Sequence, residues 1–451
     1  MYDINHLVQL YEKSVDDEES AKILIDQISE KFSMYSCSLN IIYDTTLIFA
    51  NLGNRVAQNN IGYAYAHGLG VEQNYKLGFE WYLKAATQGY GVAQNNIGYA
   101  YDKGLGVVQN DRLGFEWCLK AANQGYTIAQ NNIGHAYGKG LGVDQDYNLA
   151  FEWYLKAASQ GYSISQNNIG HAYDKGLGVD QDYKLAFEWC LKAANQGYGI
   201  AQNNIGYAYD KGLGVEQNDR LGFEWYLKAA NQGYAVAQNN IGYAYKHGLY
   251  VNQDYNLAME WYLKAATQGY FRSQFTIGLM YYQGLCVEQN YNLAMEWYLK
   301  AATQGYDRAQ FSIGSLYHQG LGVEQDYNLA MEWYLKASLQ GHSISQFNIG
   351  LMYHEGLGVE QDFVEATRWY LKAASKGYNK ALHKLNTLTK YILQIFSANE
   401  EELEELTETN KQLNEKLQFY EWAPPCECGC EFPGGNMYQD LKENFSNHSK
   451  M

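Results

Sequence analysis

The sequence predicts an all-α protein, an α/α superhelical solenoid of helix-turn-helix repeats, and three observations carry that prediction. Nine tryptophans (Trp81, Trp117, Trp153, Trp189, Trp225, Trp261, Trp297, Trp333 and Trp369) stand 36 residues apart without an insertion. Inside each period small and apolar residues recur at helical spacing, and glycines keep three fixed places, such as Gly62, Gly68 and Gly89. All three prolines (Pro424, Pro425, Pro433) lie near the C-terminus, so the periodic region is free of the residue that most strongly interrupts a helix.

The chain divides into four parts. Residues 1–56 read as a helical N-terminal cap containing a degenerate repeat, because Ala21, Ile25, Ser38, Leu47 and Gly53 match Ala57, Ile61, Asn74, Leu83 and Gly89 one period later. Nine repeats tile residues 57–380. In each, Ala57, Ile61, Ala64 and Tyr65 or their counterparts fall on one face of a first helix, A, which ends near Gly68. The GLGVEQ stretch is a loop. The next residue is Asn or Asp in every unit (Asn74, Asn110, Asp146, Asp182, Asn218, Asp254, Asn290, Asp326, Asp362), as an N-cap requires, since its side chain accepts from free amides of the first turn. Helix B follows, burying Gly78, Trp81, Tyr82 and Ala85 by spacing and stopping at Gly89. Gly62 sits mid-helix, where glycine costs about 1 kcal/mol relative to alanine, so another backbone is expected to pack closely there.

A lone hairpin of this length cannot bury enough apolar surface to offset the entropy of ordering it. Stacked neighbours must complete each core, which is the defining property of a solenoid.

The pattern A-x-x-x-I-G-x-x-Y-x-x-G-x-G-V-x-x-N/D-x-x-x-A/G-x-x-W-x-x-K-A-A-x-x-G resembles the Sel-1-like repeat family, relatives of the tetratricopeptide repeats. The resemblance spans residues 57–380 and implies a non-catalytic adaptor or scaffold that assembles other proteins. Departures are few: Tyr250 and Cys286 replace the loop glycine, and Arg368 replaces the usual Glu.

Residues 381–422 begin with a capping helix. Ala381 and Leu385 keep the helix A pattern, while Asn386 takes the place of its glycine, so no further helix needs to approach. Beyond it, Leu403, Leu406, Asn410, Leu413, Leu417 and Tyr420 form a heptad seam. Residues 399–422 could pair as a short parallel coiled coil, giving a homodimer, or fold back on the last repeat. Repulsion among Glu400, Glu401, Glu402, Glu404 and Glu405 favours the second. Residues 423–451 are a tail with Cys, Pro and Gly. There Cys426, Cys428 and Cys430 offer three thiolates, and His448 a fourth ligand, for a metal such as zinc, but the spacing departs from the usual C-x-x-C, so a flexible or redox-reactive tail is the favoured reading.

A net charge of −16 opposes binding to nucleic acid or to an anionic membrane surface. No apolar run approaches the ~20 residues that span a bilayer, and the first thirty residues lack the basic start and apolar core of a secretory signal. The expectation is a cytoplasmic protein without membrane insertion, and the unpaired pattern of its seven cysteines fits a reducing compartment.

No catalytic order of Ser, His and Asp, no phosphate loop and no H-E-x-x-H motif is present, so neither an enzyme nor a cofactor is expected. His67, His135, His171, His247 and His318 occupy positions where sister repeats carry Tyr, Lys, Asp or Ser, and they read as exposed groove or rim residues. Cys118 and Cys190 replace a core tyrosine and read as core. The Glu80 and Lys84 pair, repeated through Glu332 and Lys336, reads as a solvated i, i+4 ion pair.

By analogy with tetratricopeptide repeats, helix A lines a concave groove for a protein or peptide partner. Its groove-facing columns change character along the array. Asn59, Asn95, Asn131, Asn167, Asn203 and Asn239 give way to Phe275, Phe311 and Phe347. In parallel, Tyr63, Tyr99, His135, His171, Tyr207 and Tyr243 give way to Leu279, Ser315 and Leu351. The reading is a polar zone able to hydrogen-bond a peptide backbone, followed by an apolar pocket. The alternative is that recent duplication made the repeats uniform and that the phenylalanines fill space between helices, in a structural protein that self-assembles through its C-terminal helix.

Overall fold

The computed structural model describes residues 39–395, and these form twenty helices with no strand among them. The first, α1 (Leu39–Asn51), is followed by the pair α2 (Arg55–His67) and α3 (Tyr75–Thr87). Such pairs recur with the sequence period up to α18 (Ser343–Glu355) and α19 (Phe363–Ser375), and α20 (Asn379–Ile395) ends the described chain. Helix A is the first member of each pair and helix B the second. The helices fall into two compact units divided after Gln268: α1 with repeats one to six, and repeats seven to nine with α20. Residues 399–422 and the cysteines at 426, 428 and 430 lie outside the described residues.

Each helix B starts where the sequence places its cap. Asn74 Oδ1 accepts from the Leu77 amide at 3.0 Å, and Asp146 accepts from both Asn148 and Leu149. Helix A ends in left-handed Gly68 (φ 69°), whose amide donates to Ala64. The starts of helix A differ. Asn54 and His342 cap the first and ninth with their side chains, whereas in the second to eighth a tyrosine such as Tyr90 stands at the N-cap without a capping side-chain bond.

Stacking is visible in the makeup of the cores. Tyr82, Ala85 and Ala86 of one helix B bury Ala93 and Ile97 of the next repeat's helix A. A Cβ at Gly62 would lie 2.7 Å from the Tyr82 ring and 3.0 Å from the Gly78 carbonyl, so the predicted close approach involves a ring as well as a backbone. The second loop glycine has the same kind of reason. A Cβ at Gly106 would run into the Tyr75 carbonyl of the preceding repeat. Tyr250 and Cys286 nevertheless hold this left-handed conformation, with φ of 64° and 57°.

A glutamine relay ties the repeats together, and it was not anticipated. Gln58, buried, donates to the Ala50 carbonyl at 3.1 Å and accepts from Gln88 at 2.7 Å. One period on, Gln94 donates to the Ala86 carbonyl of the previous helix B and accepts from Gln124. The relay recurs until the ninth repeat, where Lys376 replaces the second glutamine and Gln346 Oε1 is buried without a partner.

One surface expectation is corrected. Lys84 does not pair with Glu80; its Nζ lies 3.8 Å from the centre of the Trp81 ring, and the arrangement recurs in all nine repeats at 3.8 to 4.0 Å. The ring's negative face attracts the ammonium, and the contact also shields the half-buried indole from water.

Candidate partner interface on helix A

Helix A presents two adjacent columns, and their exposure differs. The asparagine column is turned inward: Asn59, Asn95, Asn167 and Asn203 are buried, and Asn131 and Asn239 are half-buried. Their acceptors are used by the next repeat. Asn96 Nδ2 donates to Asn59 Oδ1 at 3.0 Å, and Asn132, Asn168, Asn204 and Asn240 repeat that bond to Asn95, Asn131, Asn167 and Asn203. The expectation of a polar ladder open to a peptide backbone is therefore corrected, because these side chains are the seam between neighbouring A helices.

The phenylalanine column is corrected in the same sense. Phe275 and Phe347 are buried and Phe311 is half-buried. Phe275 packs against Tyr298 of its own helix B and Tyr306 of the next turn, with ring centres 5.5 and 5.2 Å apart. Phe347 does the same with Tyr370 and Tyr378, and Phe311 with Tyr334 and His342. Leu279 is buried and Leu351 half-buried beside them. The rings fill space between helices.

What remains exposed is the second column in the first unit. Tyr63, Tyr99, Tyr207 and Tyr243 keep 48 to 52 % of their surface in water, and His135 and His171 complete the row. Neighbouring side chains brace it. His67 stacks on Tyr63 with ring centres 3.9 Å apart, and His247 tilts against Tyr243 at 4.2 Å. The His135 pKa is held below its ordinary value, first by burial and then by Lys139 and Lys103.

The position three residues beyond this column carries charge in four of the first unit's six repeats, as Asp102, Asp174, Asp210 and Lys246, with Ala66 and Gly138 in the other two. Asp174 pairs with Lys175 at 2.9 Å and Asp210 with Lys211 at 3.1 Å, whereas burial raises Asp102 to about 6, Asp111 adding to the rise. In the second unit the same position is Tyr282 in the seventh repeat and a histidine, His318 or His354, in the last two. These histidines are partly buried, with Nδ1 shielded from water and lacking a hydrogen-bond partner, so His318 is not the exposed rim residue its sequence suggests. Burial lowers both pKa values.

Cys118 and Cys190 are buried as expected, and burial pushes each thiol up to about 12. They are not nucleophiles at neutral pH. Among the described residues no three His, Cys, Asp or Glu side chains gather as metal ligands, and no helix is long and apolar enough to cross a membrane.

The glutamine relay is a structural tie that the sequence pattern does not announce. Its signal is present, as a pair of glutamines thirty residues apart in eight periods, Gln58 with Gln88 onward. Polarity at both positions conceals it, since buried glutamine is uncommon and the sequence pattern of a helix core is read from apolar residues.

Stacked two-helix units, joined by nearest-neighbour cores and offering one face of helix A, define a helical-repeat solenoid. The Sel1 repeat signature matches nine times, at residues 55–90, 91–126, 127–162, 163–198, 199–234, 235–270, 272–306, 307–342 and 343–378, and the chain belongs to the Sel1 repeat family. This frame begins two residues before the one read from the sequence. A solved structure of a protective antigen from uropathogenic Escherichia coli, described as displaying an SLR fold, is 31% identical, with 92% of each chain covered and a TM-score of 0.62. A Sel1 repeat protein from Oxalobacter formigenes is 33% identical over 54% of this chain and 96% of its own, with a TM-score of 0.50. Comparison with curated proteins gives no match. Sel1 repeat proteins in general mediate protein–protein interactions as non-enzymatic scaffolds.

Proposed function

We propose that this protein is a non-catalytic scaffold that holds a segment of a partner protein along the exposed aromatic row of its first unit. The observation that carries the reading is the row itself: six Tyr or His rings, one per repeat, exposed on successive A helices and braced from behind by the asparagine seam. Tyrosine is suited to this use, because its ring contributes large contact area at low entropic loss and its hydroxyl adds a directional bond. A rigid row also costs little ordering on binding. The second unit contributes less contact, since Leu279 is buried and Ser315 is short.

Affinity purification with mass spectrometry tests this reading on the full chain. Replacing Tyr63, Tyr99, Tyr207 and Tyr243 together by Ala is expected to remove the captured partners while circular dichroism stays unchanged, because all four rings lie outside the cores. Partners retained at wild-type levels would refute the row as the interface.

A further inference from the structure

Helix B carries a tyrosine over the helix A glycine in seven repeats: Tyr82, Tyr154, Tyr226, Tyr262, Tyr298, Tyr334 and Tyr370. In the second and fourth the residue is Cys118 or Cys190, and a thiol cannot fill the place of a phenol. The two repeats resolve the deficit differently. In the second, helix B has Gly114, and the Asp102 carboxylate folds into the room that a Cβ there would take. In the fourth, the corresponding residue is Ala186, whose methyl denies that room, and Asp174 turns instead to Lys175 at 2.9 Å. A cavity of about 120 Å³ is left, lined by Cys190, Ala186, Phe187 and Ile205, with His171 and Tyr207 of the exposed row at its rim.

We infer that this cavity is a binding site for an aromatic side chain of the partner, tyrosine above phenylalanine. The molecule itself displays the occupant, since seven sister repeats seat a phenol at the equivalent place. Size is compatible, because a closed apolar cavity of about 150 Å³ takes up benzene whole, and this smaller one opens towards the row, so a phenol need not be fully enclosed. Polarity agrees as well. The Tyr226 hydroxyl lies in the field of Asp210 and Tyr207. One period earlier those positions are Asp174 and His171, and both line the cavity. A tyrosyl ring inserted from the row would thus meet apolar walls along its length and two polar groups around its oxygen.

The partner's identity rests on the interface proposed above, but the site can be tested without it. The probe is p-cresol, the side chain of tyrosine, titrated against the full chain by calorimetry with saturation-transfer NMR. Saturable uptake is expected, weakened by about tenfold or more in Cys190→Tyr, which restores the sister arrangement, and unchanged in Cys118→Tyr, where Asp102 already closes the site. Ala186→Gly provides a second variant, should Cys190→Tyr lose its helicity: it readmits the Asp174 carboxylate and is expected to weaken uptake too. Absence of saturable uptake by the wild type, or uptake undiminished in a folded Cys190→Tyr or Ala186→Gly chain, overturns the site. If p-cresol binds at Cys190 while the four-tyrosine variant keeps its partners, the row fails as the interface and the site stands.

Discussion

The two units solve one packing problem with different chemistry. In the first, neighbouring A helices are joined by an asparagine seam, and the space behind it is taken by edge-on ring pairs such as Phe79 with Tyr101, 5.3 Å apart. In the second, phenylalanine moves from helix B to helix A. Asn59 becomes Phe275, Phe311 or Phe347 and Ala64 becomes Met280, Leu316 or Met352, while on helix B Phe79 has become Met259 already in the sixth repeat, stays Met295 and Met331, and is Thr367 in the ninth. The two helix A columns change together and both gain volume, while the helix B column loses volume from one repeat earlier, at Met259; a close-packed interior couples such exchanges. The comparison teaches that a change along a repeat array need not signal a change of ligand: here it marks a switch from a hydrogen-bonded seam to an apolar one.

The largest test of that contrast is Phe347→Ala. The ring is buried against Tyr370 and Tyr378, so its loss is expected to destabilise the second unit by about 3–5 kcal/mol. Hydrogen exchange should accelerate across residues 343–388 and leave repeats one to six unaffected, since stability in such arrays is a sum of nearest-neighbour terms. Uniform acceleration throughout would show the chain to be a single cooperative body.

The matching change in the first unit is Asn167→Ala. It leaves the Asn204 amide without its acceptor, and about 1–3 kcal/mol is expected from such an orphaned donor. The same readout, centred on residues 163–211, checks it. A loss as large as that of Phe347→Ala would mean the seam is as strong as the aromatic packing.

A gain is expected from Cys286→Gly. A residue with a Cβ in the left-handed region is strained by roughly 1–2 kcal/mol, and seven sister repeats place glycine there. Glycine also loosens the unfolded chain, so the net stabilisation should be about 1 kcal/mol or less, read as a higher melting temperature. Tyr250→Gly, one period earlier, is expected to gain less, because it forfeits the hydrogen bond from the Tyr250 hydroxyl to Asp210 at 3.1 Å. Equal gains would show that bond to be worth nothing.

Fold and site were not equally legible. The periodic tryptophans, the Asn or Asp caps and the terminal glycines each report a local backbone requirement, and residues such as Asn74 and Gly68 do what their sequence positions predict. Exposure of the A-helix columns was harder to read. Asn59 and Tyr63 are four residues apart and share a helix face, yet one is buried and the other half in water. Their fates depend on how far the next repeat is rotated, and no single period of sequence specifies that. Lys84 illustrates the same limit, since both Glu80 and Trp81 lie within its reach and only packing selects the ring.

The smallest expected difference between the units is in pH response, small because every histidine involved is partly buried or exposed. His318, His342 and His354 in the second unit are held below the ordinary 6.5, mainly by burial; Asp307 opposes the shift at His342 and Glu355 at His354, while Arg308 and Lys384 reinforce it. For these groups the unfolded chain takes up protons first, so their contribution is fully present above 6.5 and is lost as pH falls through that value. Asp102 in the first unit has the opposite sign. Its folded value of about 6 exceeds the ordinary 3.8, so the folded state binds the proton first and gains stability as pH falls from 6 towards 4. His135 offsets part of that gain, being itself lowered. Between pH 7.5 and 5.5, hydrogen exchange corrected for its intrinsic rate should therefore quicken in repeats eight and nine and stay level or slow in repeat two. Equal quickening in both places would mean that Asp102 does not take up its proton near 6 and that its carboxyl is less shielded from water than its place beside Gly114 implies.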